Sequence, residues 1–230
     1  MNAIMTVIIG PEYEEIAGLT LPHIRAYVDR LGAAMVETRK AELSRGILHY
    51  EKLGMRQWLD KFDRMAFIDV DCLVRKDCPS LFAEVPPEKF GIMDDSQFGD
   101  REKAIDHMAR SFGARGLKRG NHKYGNTGVM VASACHRAVF ELPAKQPQSW
   151  MEQGWINLRL FQLDVPTHYL PYRFNHMPTY EKAYYACQHP ILTPRLNSWI
   201  IHYSGGRRDH AANMAAMRAD IAAWKGLDLL

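Results

Sequence analysis

Short β-branched runs alternate with helically spaced stretches between residues 6 and 70, and few architectures accept that order. Thr6 to Gly10 reads as a strand ending in Gly-Pro, and Leu19 to Leu31 spaces Leu21, Ile24, Tyr27, Val28 and Leu31 as a helix does. Ala33 to Thr38 reads as a second strand. Leu48 to Phe62 carries Leu48, Leu53, Met55, Trp58, Leu59 and Phe62 at helical intervals, and Arg64 to Val70 reads as a buried strand. A β-α-β-α-β order of this kind predicts a doubly wound α/β layer with right-handed crossovers and mainly parallel strands. Ligands of such sheets sit beyond the C-terminal ends of the strands.

That rule draws attention to the third strand, because Met65-Ala66-Phe67-Ile68 runs straight into Asp69-Val70-Asp71. Two carboxylates then leave the sheet at its ligand edge. They are hard oxygen donors suited to Mn²⁺ or Mg²⁺, ions that can bridge the oxygens of a diphosphate. Capping of the following turn is the competing use. Phe90 to Met93 similarly ends in Asp94-Asp95, and Gly128 to Ala132 is a further strand following Gly125-Asn126-Thr127. Near the other end, the apolar run from Trp199 closes on His202 and continues into Gly205, Gly206, Arg207 and Arg208. An imidazole there could serve Mn²⁺ as a third ligand, and glycine with arginine suits the approach of a phosphate. Taken alone, a histidine beside apolar residues is as well explained by the core.

Composition narrows the class. A chain of 230 residues with 47% hydrophobic and 24% charged residues can bury one large core, which excludes disordered and fibrous proteins. Its apolar runs fall far short of the roughly 20 residues that cross a bilayer. Met1 to Gly10 shows neither a basic start nor a small-residue cleavage site, so a cytoplasmic location is expected. Cys72, Cys78, Cys135 and Cys187 form no C-x-x-C pair and are expected as free thiols.

The net charge of +3 is too small for a nucleic-acid binder, and it is concentrated between Asp100 and Lys123, where seven basic residues face three acidic ones. The stretch from Ser96 to Lys123 reads as a surface loop long enough to act as a lid. Beyond it, Trp150 to Leu163 reads as a helix and Val165 to Leu170 as a strand. Asp209 to Leu227 reads as a helix that Asp209 caps, with Met214, Met217, Ile221 and Trp224 in one stripe docked on the core.

Together these segments resemble the GT-A fold glycosyltransferases, and within them the retaining, galactosyltransferase-like and glycogenin-like family, glycosyltransferase family 8. Residues 50–74, with Phe62-Asp63-Arg64 leading to Asp69-Val70-Asp71-Cys72-Leu73-Val74, are similar to the family's helix, "yDRvlylDaDvlv" strand and metal motif. Gly125 to Met130 is similar to its "fNsGvml" strand, Glu152 to Asn157 to its "DQdilN", and Arg173 to Met177 to its "rfNfm". His202-Tyr203-Ser204-Gly205 fits H-x-x-G-x-x-K, with Arg208 in place of the lysine.

The resemblance implies one GT-A domain over residues 1–230, a Rossmann-like mixed and mainly parallel sheet flanked by helices. A nucleotide-binding half would span about residues 1–95 and a sugar and acceptor half about residues 124–210, with the helix of residues 209–227 closing the chain. It implies that Asp69, Asp71 and His202 hold Mn²⁺ (or Mg²⁺) against the diphosphate of a nucleotide sugar, and that Arg208 and Gly205 meet the phosphates. Tyr13 matches a residue packed on the base, and Lys52 a basic residue near donor sugar and phosphate. Asp95 and Asn126 fall where sugar hydroxyls are bound. Glu152 and Gln153 fall where the family faces the anomeric carbon, Glu152 replacing an aspartate and Gly154 a second acid.

The implied reaction is transfer of a hexose, with retention, from UDP-glucose or UDP-galactose to a hydroxyl of a glycan, lipid or protein acceptor. Two other readings compete. Asp69 and Asp71 also resemble the first motif of haloacid-dehalogenase-type phosphatases, although the order and spacing of the remaining motifs fail. A non-catalytic nucleotide-sugar or carbohydrate-binding protein on the same fold is the other.

Overall fold

The computed structural model describes residues 1–98, 102–114, 122–149, 151–185, 194–204 and 210–230. The chain begins with β1 (Asn2–Val7), α1 (Pro11–Arg30), β2 (Ala34–Thr38), a 3₁₀ segment Leu48–Gly54, α2 (Met55–Trp58) and β3 (Arg64–Ile68). Then come β4 (Cys72–Val74), α3 (Leu81–Glu84), β5 (Phe90–Asp94) and α4 (Glu102–Ser111). The remainder holds β6 (Gly125–Ser133), α5 (Met151–Gln162), β7 (Thr167–Leu170), α6 (Pro178–Tyr185), β8 (Ile200–His202) and α7 (His210–Gly226).

Six strands form one sheet in the order β2-β1-β3-β6-β5-β7. Strand β1 is parallel to β2 and β3, and β5 is parallel to β7, whereas β6 runs antiparallel to both β3 and β5. The sheet is mixed and mainly parallel, as expected. The start of β6 therefore lies at the edge where β3 and β5 end. Strands β4 and β8 pair antiparallel in a second, small sheet on that edge, with Cys72 opposite His202.

Side-chain alternation divides the core between the two faces of the large sheet. Met5, Phe67, Ile92 and Met130 pack with Ile156 and Leu160 of α5 on one face. Ile4, Ala66, Ile68, Val129 and Val131 pack with Ile24, Tyr27 and Val28 of α1 on the other. Among the described residues no helix is long and apolar enough to cross a membrane.

Three departures from the sequence reading have a clear physical reason. The Gly-Pro pair starts a helix rather than ending a strand: Gly10 at φ 97° turns the chain, and Pro11 with Glu12 and Glu14 fills the first turn of α1. The strand consequently lies earlier, from Asn2. The region read as one helix from Leu48 to Phe62 is a 3₁₀ segment followed by the single turn of α2, since apolar residues three apart satisfy a three-residue turn as well as an α-helix. The stretch read as a loop from Ser96 to Lys123 contains α4, whose Ile105, Met108 and Ala109 are buried, while Phe112 beyond it lies 5.2 Å from the Trp155 ring. Its abundant charge disguised an i, i+3, i+4 stripe.

The last helix docks as expected, with Met214, Met217 and Trp224 buried and Ile221 packed at the margin. Asp209 lies outside the described residues. Cys72, Cys78 and Cys135 are free thiols, and Cys187 is likewise outside.

Candidate active site

The D-x-D segment leaves β3 in a turn whose backbone is fixed on both sides. Asp69 N–H donates to Gly128 O of β6 (2.8 Å), Cys72 N–H donates to Asp69 O (3.0 Å), and Tyr203 N–H donates to Asp71 O (3.0 Å). The β4–β8 register then carries His202 to the carboxylates. Its Nε2 lies 3.5 Å from Asp71 Oδ1 and 3.7 Å from Asp69 Oδ2, beyond hydrogen-bond reach in both cases. The opposite ring nitrogen, Nδ1, is 2.8 Å from Asn175 Oδ1.

Lys52 projects from the 3₁₀ segment into the same place. Its Nζ lies 2.7 Å from Asp69 Oδ2 and 2.9 Å from Glu152 Oε1, and 5.1 Å from the centre of the Phe67 ring. Burial works against the ammonium, but the two carboxylates outweigh it, and the lysine pKa is raised. Glu152, in the first turn of α5, also accepts from Thr127 Oγ1 (3.2 Å), with His49 Nδ1 3.9 Å from its second oxygen. Gln153 accepts from Thr127 N–H (3.3 Å) and donates to Tyr124 OH (3.3 Å). Farther along α5, buried Asn157 accepts from Gly125 N–H (2.6 Å) and donates to Gly125 O (2.8 Å), fixing the start of β6.

Lys52, Asp69, Asp71, Thr127, Glu152 and His202 line a cleft of about 370 Å³. The structure brings together every described residue predicted for the site: Tyr13, Lys52, Asp69, Asp71, Asp95, Asn126, Glu152, Gln153 and His202. Gly205 and Arg208 lie outside the described residues. Sequence reasoning overlooked Thr127, His49 and Tyr180, which also line the cleft, and Asn175 behind His202. Thr127 and Asn175 stood inside quoted motifs, which was the available signal. Asn126 differs in part from expectation, because its Oδ1 already accepts from Gly128 N–H and Asn175 Nδ2, both at 2.9 Å.

The local electrostatics are those of crowded anions. Burial, and then Asp69, push the Asp71 carboxyl up. Burial followed by Asp71 and Asp69 raises the Tyr13 phenol. Two carboxylates and one imidazole form a hard oxygen and nitrogen set that fits Mn²⁺ or Mg²⁺, and a cation would relieve the strain that Asp71 registers. Donor atoms of Asp71, Cys72 and His202 lie within 4.8 Å of one another. Cys72, however, packs among Ile4, Ile24 and Ile68, and burial holds its thiol well above the ordinary range, hence protonated and a poor ligand.

No protein-family model and no curated protein matches the sequence. Solved structures do. A glycosyltransferase involved in the glycosylation of the major capsid of PBCV-1 is 17% identical over 95% of this chain and 98% of its own, with a TM-score of 0.62. The galactosyltransferase LgtC, solved with donor and acceptor sugar analogs, is 17% identical over 98% of this chain and 99% of its own, with a TM-score of 0.55. Mouse xyloside xylosyltransferase 1 is 11% identical over 91% of this chain and all of its own, also with a TM-score of 0.55. At such identities the likeness speaks for architecture: along nearly its whole length, the chain has the GT-A fold of these glycosyltransferases.

Proposed function

We propose that the chain is a glycosyltransferase that moves a hexose from a nucleoside-diphosphate sugar, UDP-glucose or UDP-galactose, to a hydroxyl of a glycan, lipid or protein acceptor, with retention and with Mn²⁺ or Mg²⁺ bound. The observation that carries this reading is the meeting of Asp69, Asp71 and His202, from separate stretches of the chain, at the ligand edge of a GT-A sheet.

Asp69, Asp71 and His202 would hold the ion, which when bound supplies Lewis-acid stabilisation to the charge on a departing diphosphate. Lys52, locked in place by Asp69 and Glu152, brings a fixed positive charge that needs no reorganisation during reaction. Tyr13 offers its ring to the base, and Asp95 an acceptor to sugar hydroxyls. Asn126 contributes through its Nδ2, since its oxygen is committed. Glu152 and Gln153 face the developing positive charge at the anomeric carbon; with Lys52 and Thr127 on its Oε1, Glu152 acts there as an electrostatic support. Gly205 and Arg208 complete the phosphate contacts.

Calorimetry with Mn²⁺ and a panel of nucleotide sugars tests the site. Asp71→Ala is expected to abolish metal-dependent donor binding, and unchanged affinity would refute the assignment. Release of nucleoside diphosphate, without cleavage of p-nitrophenyl phosphate, separates a transferase from the phosphatase reading. Binding without any turnover would identify a carbohydrate-binding protein.

A further inference from the structure

We propose that Asn126 and Asn175 form a relay that fixes His202 in the tautomer with its proton on Nδ1, so that bare Nε2 faces Asp69 and Asp71. The tautomer follows from hydrogen bonding alone, and only its use rests on the metal site proposed above.

The argument starts from a group whose identity is beyond choice. Gly128 N–H can only donate, and it points at Asn126 from 2.9 Å, so the amide atom it meets is Oδ1. That oxygen stands 2.9 Å from the side chain of Asn175, which must present Nδ2 there. The other end of Asn175 is therefore its carbonyl oxygen, 2.8 Å from His202 Nδ1. A carbonyl accepts and never donates, so Nδ1 carries the proton. Asn126, Asn175 and His202 are all buried, at 7%, 0% and 4% exposure, which keeps solvent from competing for these bonds.

The relay works against the local charge. Two carboxylates near Nε2 would by themselves draw the proton to that nitrogen, where it would block any ligand bond. An acceptor at Nδ1 settles the matter the other way, as partners behind metal-binding histidines do in general. Asn175 is thus a positioning residue: it acts on the cleft through His202.

The test uses the full-length, metal-free, ¹⁵N-labelled protein at a pH above the ordinary imidazole range. Long-range ¹H–¹⁵N correlation reads the tautomer of each ring, and His202→Gln assigns the signal. The expected spectrum has the His202 proton on Nδ1. Asn175→Leu, with no acceptor, is expected to move it to Nε2 and to raise the Mn²⁺ dissociation constant by about 10- to 100-fold. Asn175→Asp, which keeps an acceptor, is expected to retain it on Nδ1.

A wild-type His202 protonated on Nε2 overturns the proposal, whether or not the leucine variant folds. So does a folded Asn175→Leu protein with tautomer and Mn²⁺ affinity unchanged. Protonation on Nδ1 in a protein that binds no Mn²⁺ upholds the relay and removes the metal reading, whereas protonation on Nε2 with tight Mn²⁺ binding does the reverse.

Discussion

A β-carbon on Gly128 would stand 2.1 Å from Cε1 of His202. The ring therefore lies on bare backbone, and no other residue type at 128 leaves it room. Gly128→Ala is expected to push the imidazole off the strand, weaken Mn²⁺ binding at least tenfold, and cost about 1–3 kcal/mol through overpacking. Calorimetric titration with Mn²⁺ and thermal melting of the variant check both parts.

Lys52 is expected to matter more to folding than its place in a cleft suggests. Lys52→Met leaves Glu152 and Asp69 without their cation, and breaking a buried pair by removing one partner costs about 3–5 kcal/mol. Adding Glu152→Gln to that variant should restore part of the loss in urea denaturation. Because the lysine pKa is raised in the folded protein, its contribution is complete below the ordinary lysine range and is lost only as pH climbs through the folded value. The stability difference between wild type and Lys52→Met should accordingly stay flat through neutral pH and decline in alkali.

Glu37 on β2 ties the sheet edge to α1 through Arg25 (2.5 Å) and also meets Arg39 (2.9 Å). Burial opposes its ionisation, but the two arginines prevail and depress its pKa. A depressed carboxyl stabilises above its unfolded pKa and loses that contribution as pH falls through the folded one. Glu37→Gln is expected to cost about 0.2–1 kcal/mol at neutral pH, as exposed pairs do, and nothing in strong acid. Chemical denaturation of both proteins across the acid range measures this.

Glu51, in the 3₁₀ segment that carries His49 and Lys52, ties down the chain at residues 42–44. One of its oxygens accepts from the backbone N–H groups of Glu42 (3.0 Å), Leu43 (2.9 Å) and Ser44 (2.7 Å). Glu51→Ala orphans three donors at once, so a loss of about 1–3 kcal/mol is the least expected. Hydrogen exchange should show those three amides losing protection before the sheet does.

How much of this could be read from the residues varies with how local the cause is. Strand β3 and its Asp69-Val70-Asp71 exit were legible because a strand buried on both faces is nearly all apolar and its polar end stands out. The histidine was legible through the glycines and arginines beyond it. Helix α4 was not, since its apolar stripe is thin and charges surround it. Nor was the commitment of Asn126 Oδ1 or the Lys52–Glu152 pair, because both depend on which side chains from separate stretches meet, and spacing along the chain says nothing about that.

The reversed direction of β6 also bears on how such a cleft can diversify. The floor of the cleft, Asn126 to Gly128, is held by the sheet from both sides: Asn126 pairs with Met93 of β5, and Gly128 O accepts from Asp69 N–H (2.8 Å) at the exit of β3. Tyr13, His49 and Tyr180 stand instead on helical elements around the rim. Change at the rim can retune which molecules enter while the floor keeps its shape, and new preferences can arise there without the chain having to solve its folding problem again.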